Sequence, residues 1–176
     1  MAGPTASFDA KLYDLDGTLV RLAVDWGEVE REIAKILREA GADPDGLVTY
    51  ELVDAAEEVG VRPAVTDVLS RHERAGARRA ERLPTAGELL EDGVPTGVVS
   101  LNEEAAVRIA LESESLAEAV DVVVGRDTVP TRKPDPEPLL TALETLSVAP
   151  ENALFVGDSD VDERAARRAG VPFRRV

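Results

Sequence analysis

Tyr13-Asp14-Leu15-Asp16-Gly17-Thr18-Leu19-Val20 decides how the rest of the chain is read. Residues 8 to 14 have the character of a short strand, and Gly17-Thr18 marks an abrupt turn beyond it. Side chains two apart on a strand point the same way, so Asp14 and Asp16 are expected to converge at the strand's C-terminal edge. Open α/β sheets hold their ligands at that edge. Two carboxylates forced together need a cation or a shared proton, and a close like charge raises one pKa of such a pair. Taken alone, Asp-x-Asp-Gly reads equally well as an ordinary Asp-Gly turn in a surface hairpin, so the choice falls to the remainder of the chain.

Downstream, Trp26, Val29, Ile33, Ile36, Leu37 and Ala40 recur at helical spacing, with Asp25 placed to cap the start and Gly41 to close the end. A second helix is expected over about residues 49–59, and a third from Pro63 as far as Arg82. Three helices with no strand between them interrupt a strand–helix alternation, as an inserted helical unit would. The alternation then resumes. A short helix is expected over 87–93, strands over 95–100, 120–125, 153–156 and 171–176, and helices over 103–116, 139–146 and 163–169. Alternation on both sides of an insert predicts an α/β fold, a doubly wound, Rossmann-like parallel sheet covered by helices on both faces. The expected division is a core of residues 1–20 and 83–176 with a helical cap of residues 21–82. Ser100, Asn102, Lys133, Asp158 and Asp162 then fall with Asp14 and Asp16 just after strands or at helix starts, along one sheet edge.

Composition narrows the chemistry. The 176 residues carry 35 Asp+Glu against 20 Lys+Arg, a net charge of −15, which argues against nucleic acid or an anionic membrane as partner. Lys11, Lys35 and Lys133 are the lysines, and aromatics make up only 3%. Such a balance resembles that of proteins adapted to high salt, whose acidic surfaces stay hydrated when ordinary repulsion is screened. With no cysteine, thiolate chemistry and disulfides are excluded. His72, the sole histidine, sits among Arg71, Glu73 and Arg74 and reads as a solvated helix position. Catalysis must therefore run on carboxylates, Lys and hydroxyls. Residues 1–7 lack the pattern of a signal peptide, and no apolar run approaches the ~20 residues that span a bilayer, so a cytoplasmic protein is expected.

Four segments together resemble the signature motifs of the haloacid dehalogenase-like hydrolase superfamily, in that family's order: Asp14-x-Asp16-Gly17-Thr18-Leu19-Val20, Val98-Val99-Ser100-Leu101-Asn102, Lys133-Pro134-Asp135-Pro136, and Gly157-Asp158-Ser159-x-x-Asp162. The resemblance implies a phosphatase that forms an aspartyl-phosphate on Asp14, with Asp16 as acid and then base. It implies Mg²⁺ held by the Asp14 carboxylate, the Asp16 carbonyl and Asp158, with Asp162 nearby or bridging through water. Ser100 and the Asn102 amide would hold phosphate oxygens, and Lys133 would offset charge on the nucleophile and the phosphoryl group. Dehalogenases of the superfamily lack the proton donor found here at Asp16, because halide leaves without protonation. A small helical cap accompanies small phosphorylated metabolites in this family, and phosphoglycolate phosphatase is the nearest activity. A sugar phosphomutase uses the same motifs, and a phospho-receiver or regulatory domain combines similar residues without a helical insert. Arg62, Arg71, Arg74 and Arg78 are candidates to meet a second anionic group, whereas Trp26 is expected to serve cap packing. A monomer or homodimer is expected.

Overall fold

The computed structural model describes residues 7–91 and 93–176; expectations for residues 1–6 and for Asp92 lie outside them. In chain order, β1 (Ala10–Tyr13) leads through a tight turn to β2 (Val20–Arg21), followed by three helices, α1 (Trp26–Glu39), α2 (Thr49–Glu58) and α3 (Arg62–Ala77). β3 (Glu81–Arg82) returns the chain to α4 (Thr85–Glu91), β4 (Thr96–Val99), α5 (Glu104–Ser113), β5 (Val122–Val124), α6 (Glu137–Leu146), β6 (Ala153–Gly157), α7 (Asp160–Ala169) and β7 (Phe173–Arg175). The main sheet has the order β5-β4-β1-β6-β7, and all its pairings are parallel.

Alternation along the strands builds two cores. Leu12, Val99 and Phe155 point to one face, where Leu139, Leu143, Ala165 and Ala166 of α6 and α7 cover them. Tyr13, Val98 and Val156 point to the other, beneath Ala86 and Leu89 of α4 and Ala106, Val107, Ala110 and Leu111 of α5. Strands buried on both faces read as continuous apolar runs, which is why the sequence displayed them plainly. The three helices after β2 have an apolar cluster of their own, made by Val29, Ile33 and Leu37 with Leu52, Val53, Val65, Val68 and Leu69. Asp25 caps α1 by accepting from the Glu28 amide at 2.9 Å, and Gly41 closes it at φ +86°, as the pattern predicts.

The third helix departs from expectation. It ends at Ala77, four residues after the buried Glu73, and Glu81–Arg82 is a strand pairing antiparallel with Val20–Arg21. Residues 78–82 are helix formers by composition, but the strand partners of Glu81 and Arg82 lie about sixty positions earlier, where no local pattern can reveal them. Helix α6 begins at Glu137, two residues earlier than its apolar pattern suggests, because Pro138 fits the first turn and its missing N–H is not needed there. Helix α7 begins at Asp160 because Ser159 caps it, which takes Asp160 and Asp162 out of the expected loop and into the first turn. β1, β4, β5 and β7 are shorter at their ends than predicted, β7 spanning three residues, whereas β6 runs one residue further, to Gly157. No helix among the described residues is long and apolar enough to cross a membrane.

Candidate active site

Three adjacent strands deliver the first residues. The Asp14 amide donates to the Val156 carbonyl at 2.9 Å and the Ser100 amide to the Val124 carbonyl at 2.9 Å, which fixes both residues just past their strands. Asp158 follows the end of β6 directly. The turn after β1 brings the amides of Thr18, Leu19 and Val20 back onto the Leu15 carbonyl, while Gly17 stands at φ +87°. A Cβ on Gly17 would lie 2.3 Å from Asp158 Oδ2, so this position needs glycine both for its dihedral and for the approach of that carboxylate. Gly17→Ala is expected to displace Asp158 and destabilise the fold by about 1–3 kcal/mol. Thermal melting checks it, with a Tm fall of roughly 2–12 °C; an unchanged Tm would show that the turn relaxes freely.

Lys133 lies at the centre of the site. It is buried, and its ammonium donates to Asp14 Oδ1 at 2.7 Å, Asp162 Oδ1 at 2.6 Å and the Val99 carbonyl at 2.9 Å. All three of its donors are therefore used. Burial works against the ammonium, yet the Asp14 and Asp162 carboxylates more than offset it and raise its pKa above the ordinary value. Asp162 is held on its other oxygen by Ser159, whose hydroxyl donates to Oδ2 at 2.6 Å and whose amide does so at 3.2 Å. Asp162 thus orients Lys133, while Asp14 keeps Oδ2 for other chemistry.

Burial pushes Asp14 up to about 7; Lys133 pulls against it, and Asp162 and Asp158 add to it. Asp16 is also raised, first by burial and then by Asp158, against a hydrogen bond in which the Leu22 amide donates to its Oδ1 at 2.9 Å. The expectation that Asp14 and Asp16 perturb each other directly needs correction. The Leu22 contact turns Asp16 aside, and the carboxylates that act on Asp14 are Asp162 and Asp158. One carboxylate oxygen each of Asp14, Asp158 and Asp162 lies within 4.8 Å of the others; Asp158 is exposed, and the other two are buried. These three carboxylates cluster beside one lysine, and an all-oxygen donor set of this kind fits a hard divalent cation such as Mg²⁺.

Asp14, Asp16, Asn102, Lys133, Asp158 and Asp162 share one cavity of about 340 Å³, roofed by the three helices after β2. Ser100 is buried just behind it, where its hydroxyl donates to Asn102 Oδ1 at 3.1 Å and accepts from the Asn102 amide at 3.1 Å. Helix α5 starts only at Glu104, so Ser100 is not its cap.

The predicted cap arginines are elsewhere. Arg62 pairs with Glu57, Arg71 with Glu32 and Arg74 with Glu103, while Arg78 donates to the Arg74 carbonyl, and none of the four lines the cavity. His72 is no solvated position: its half-buried ring meets Glu32 at 2.9 Å and ties α3 to α1. Trp26 packs against the apolar cluster of the three helices, as expected, and it also lines the cavity. Sequence reasoning missed Glu73, Arg126 and Arg132, which also line it. A signal existed for Glu73, which falls four residues after Leu69 on the buried stripe of α3, where a carboxylate is out of place. Arg126 follows β5 by two residues and so shares the functional edge, and Arg132 immediately precedes Lys133.

The sequence model described as haloacid dehalogenase-like hydrolase matches residues 49–176, and the chain belongs to that family. Its relatives narrow the class to phosphatases. A phosphoglycolate phosphatase of Aquifex aeolicus is 32% identical over 173 residues, covering 90% of this chain and 80% of the relative. Another, of Rhodospirillum rubrum, is 33% identical over 185 aligned positions, covering 93% and 77%. Among solved structures, a haloacid dehalogenase-superfamily hydrolase of subfamily IA from Geobacter sulfurreducens superposes with a TM-score of 0.60 at 27% identity, over 94% of this chain and 88% of that one. The chain is a phosphatase of this superfamily, similar to the phosphoglycolate phosphatases.

Proposed function

We propose that the protein hydrolyses phosphoglycolate, or a close analogue among small phosphorylated metabolites, through an aspartyl-phosphate on Asp14. The observation that carries this reading is the buried Asp14–Lys133–Asp162 array beneath the cavity, with Asp16 set apart from it on the Leu22 amide. Asp14 Oδ2 attacks phosphorus, the ester oxygen departs, and the Asp16 carboxyl gives that oxygen its proton. For this Asp16 must begin protonated, which its burial favours. Asp16, now a carboxylate, then takes a proton from water as the water oxygen attacks phosphorus; the bond to Asp14 breaks, inorganic phosphate leaves and Asp14 is regenerated. Lys133 holds Asp14 in place and offsets negative charge on the transferring group, while Ser100 and the Asn102 amide would exchange their mutual hydrogen bond for phosphate oxygens. The Asp14 carboxylate, the Asp16 carbonyl and Asp158 would hold Mg²⁺, with Asp162 behind them; bound there, the ion supplies positive charge to the phosphoryl oxygens.

The proposed division is a catalytic core of residues 1–20 and 83–176 and a cap of residues 21–82. The separate apolar cluster of α1–α3 and the β2–β3 ribbon at the junction support it. The strongly acidic chain favours a small metabolite over nucleic acid as partner, and a cytoplasmic monomer or homodimer adapted to salt is the accompanying proposal. One experiment addresses metal, substrate and salt together: a panel of phosphate esters assayed with Mg²⁺ or a chelator, in dilute buffer and in molar KCl. Chelation is expected to remove activity and Mg²⁺ to restore it, with phosphoglycolate the best substrate and the rate higher in molar salt. Hydrolysis that survives chelation would sink the metal assignment, and a maximum in dilute buffer would sink the salt adaptation.

A further inference from the structure

We propose that Arg132 reads a carboxylate on the substrate, and that Asp54 of α2 occupies this arginine until the substrate takes its place. The inference rests on the phosphatase reading above and names the second group that the substrate must carry. The phosphate end is served by Lys133 and its carboxylates, so discrimination among esters needs another charged contact in the same cavity.

Three cationic side chains line that cavity, Arg126, Arg132 and Lys133. The donors of Lys133 are spent on Asp14, Asp162 and the Val99 carbonyl. Arg126 faces Glu73 at 2.5 Å, with that carboxylate only 2% exposed, and also reaches the Leu101 carbonyl and Ser70 Oγ. Releasing Arg126 to a ligand would strand a buried carboxylate, which is unfavourable. Arg132 is different. Its Nη2 donates to Asp54 Oδ1 and Oδ2, both at 2.7 Å, and that carboxylate is 56% exposed. An exposed pair contributes little, and Asp54 would return to water when displaced. A carboxylate brought by a bound phosphate ester would enter a site walled by Trp26, Val53 and Leu69, drier than the surface pair it replaces. Arg132 is thus the cation that can change partners without leaving a buried charge behind, and its planar fork suits a carboxylate.

The test reads binding separately from turnover. Phosphoglycolate and ethyl phosphate, which lacks the carboxylate, are titrated calorimetrically onto protein carrying Asp14→Asn, alone and combined with Arg132→Ala or Asp54→Asn. Without further substitution the protein is expected to prefer phosphoglycolate. Arg132→Ala is expected to lower that preference about ten- to hundredfold, the loss of a charge-assisted contact. Asp54→Asn is expected to raise it about two- to fivefold by removing the competitor, a result that does not depend on how Arg132→Ala folds. Equal binding of the two esters, an unchanged preference in Arg132→Ala, or a lowered one in Asp54→Asn would each overturn the proposal. Failure of the unsubstituted enzyme to hydrolyse any ester would instead overturn the phosphatase reading, because the calorimetric preferences stand without turnover.

Discussion

Asp14→Asn is expected to abolish hydrolysis of an aryl phosphate, with kcat lower by about four orders of magnitude or more, as when a covalent nucleophile is removed from other hydrolases. The fold should persist. An amide oxygen can still accept from Lys133, and the substitution removes a carboxylate that burial already disfavours in its charged form. The two halves of this prediction are checked by a stopped assay of p-nitrophenol release and by a thermal melt. Equal rates in wild type and variant would eliminate the aspartyl-phosphate mechanism. A lost rate accompanied by a collapsed melt would show that Asp14 is chiefly structural.

Lys133→Met is expected to cost both activity and stability. The ammonium lies between two carboxylates whose side chains are 10% and 2% exposed, and its own is 2% exposed. Removing it leaves Asp14 and Asp162 facing each other in a buried site, a loss of about 3–5 kcal/mol for a broken buried pair. For a chain of this length that corresponds to a fall in Tm of roughly 6–20 °C, measured without Mg²⁺ so that the ion cannot substitute for the lysine. Adding Asp162→Asn to Lys133→Met should recover part of the loss, because it removes one of the two unpaired charges. A Lys133→Met protein that melts at or above the wild-type temperature would refute the central place given to this lysine.

Legibility of the site in the sequence followed the range of the contacts involved. Asp14, Asp16 and Gly17 lie on one strand end and one turn, so their spacing carries their place at the sheet edge, though not the turn of Asp16 onto the Leu22 amide. Lys133, Asp158 and Asp162 belong to segments that follow buried strands, and a parallel sheet gathers such segments at one edge. The cap behaved otherwise. Arg62, Arg71, Arg74 and Arg78 were candidates because they are cationic and on cap helices, yet three of the four meet carboxylates and none lines the cavity. Glu73 and Arg126, 53 positions apart, and Asp54 and Arg132, 78 apart, find each other only when the helices pack against the core loops. The end of α3 escapes the local pattern for the same reason, since β3 exists only through its partner β2.

By itself, the sequence determined the doubly wound sheet, through strands apolar on both faces, and the identity of the acid, lysine and hydroxyl groups at its edge. Both are consequences of local periodicity, which fixes where a strand ends and which way its side chains point. Tertiary structure alone decided that Asp16 turns onto the Leu22 amide, that burial rather than mutual repulsion raises the two aspartates, and that Arg132 and Arg126 face the cavity with partners from the cap. Charge partners and solvent exclusion are set by what folds over a residue, and a linear sequence does not contain that distance.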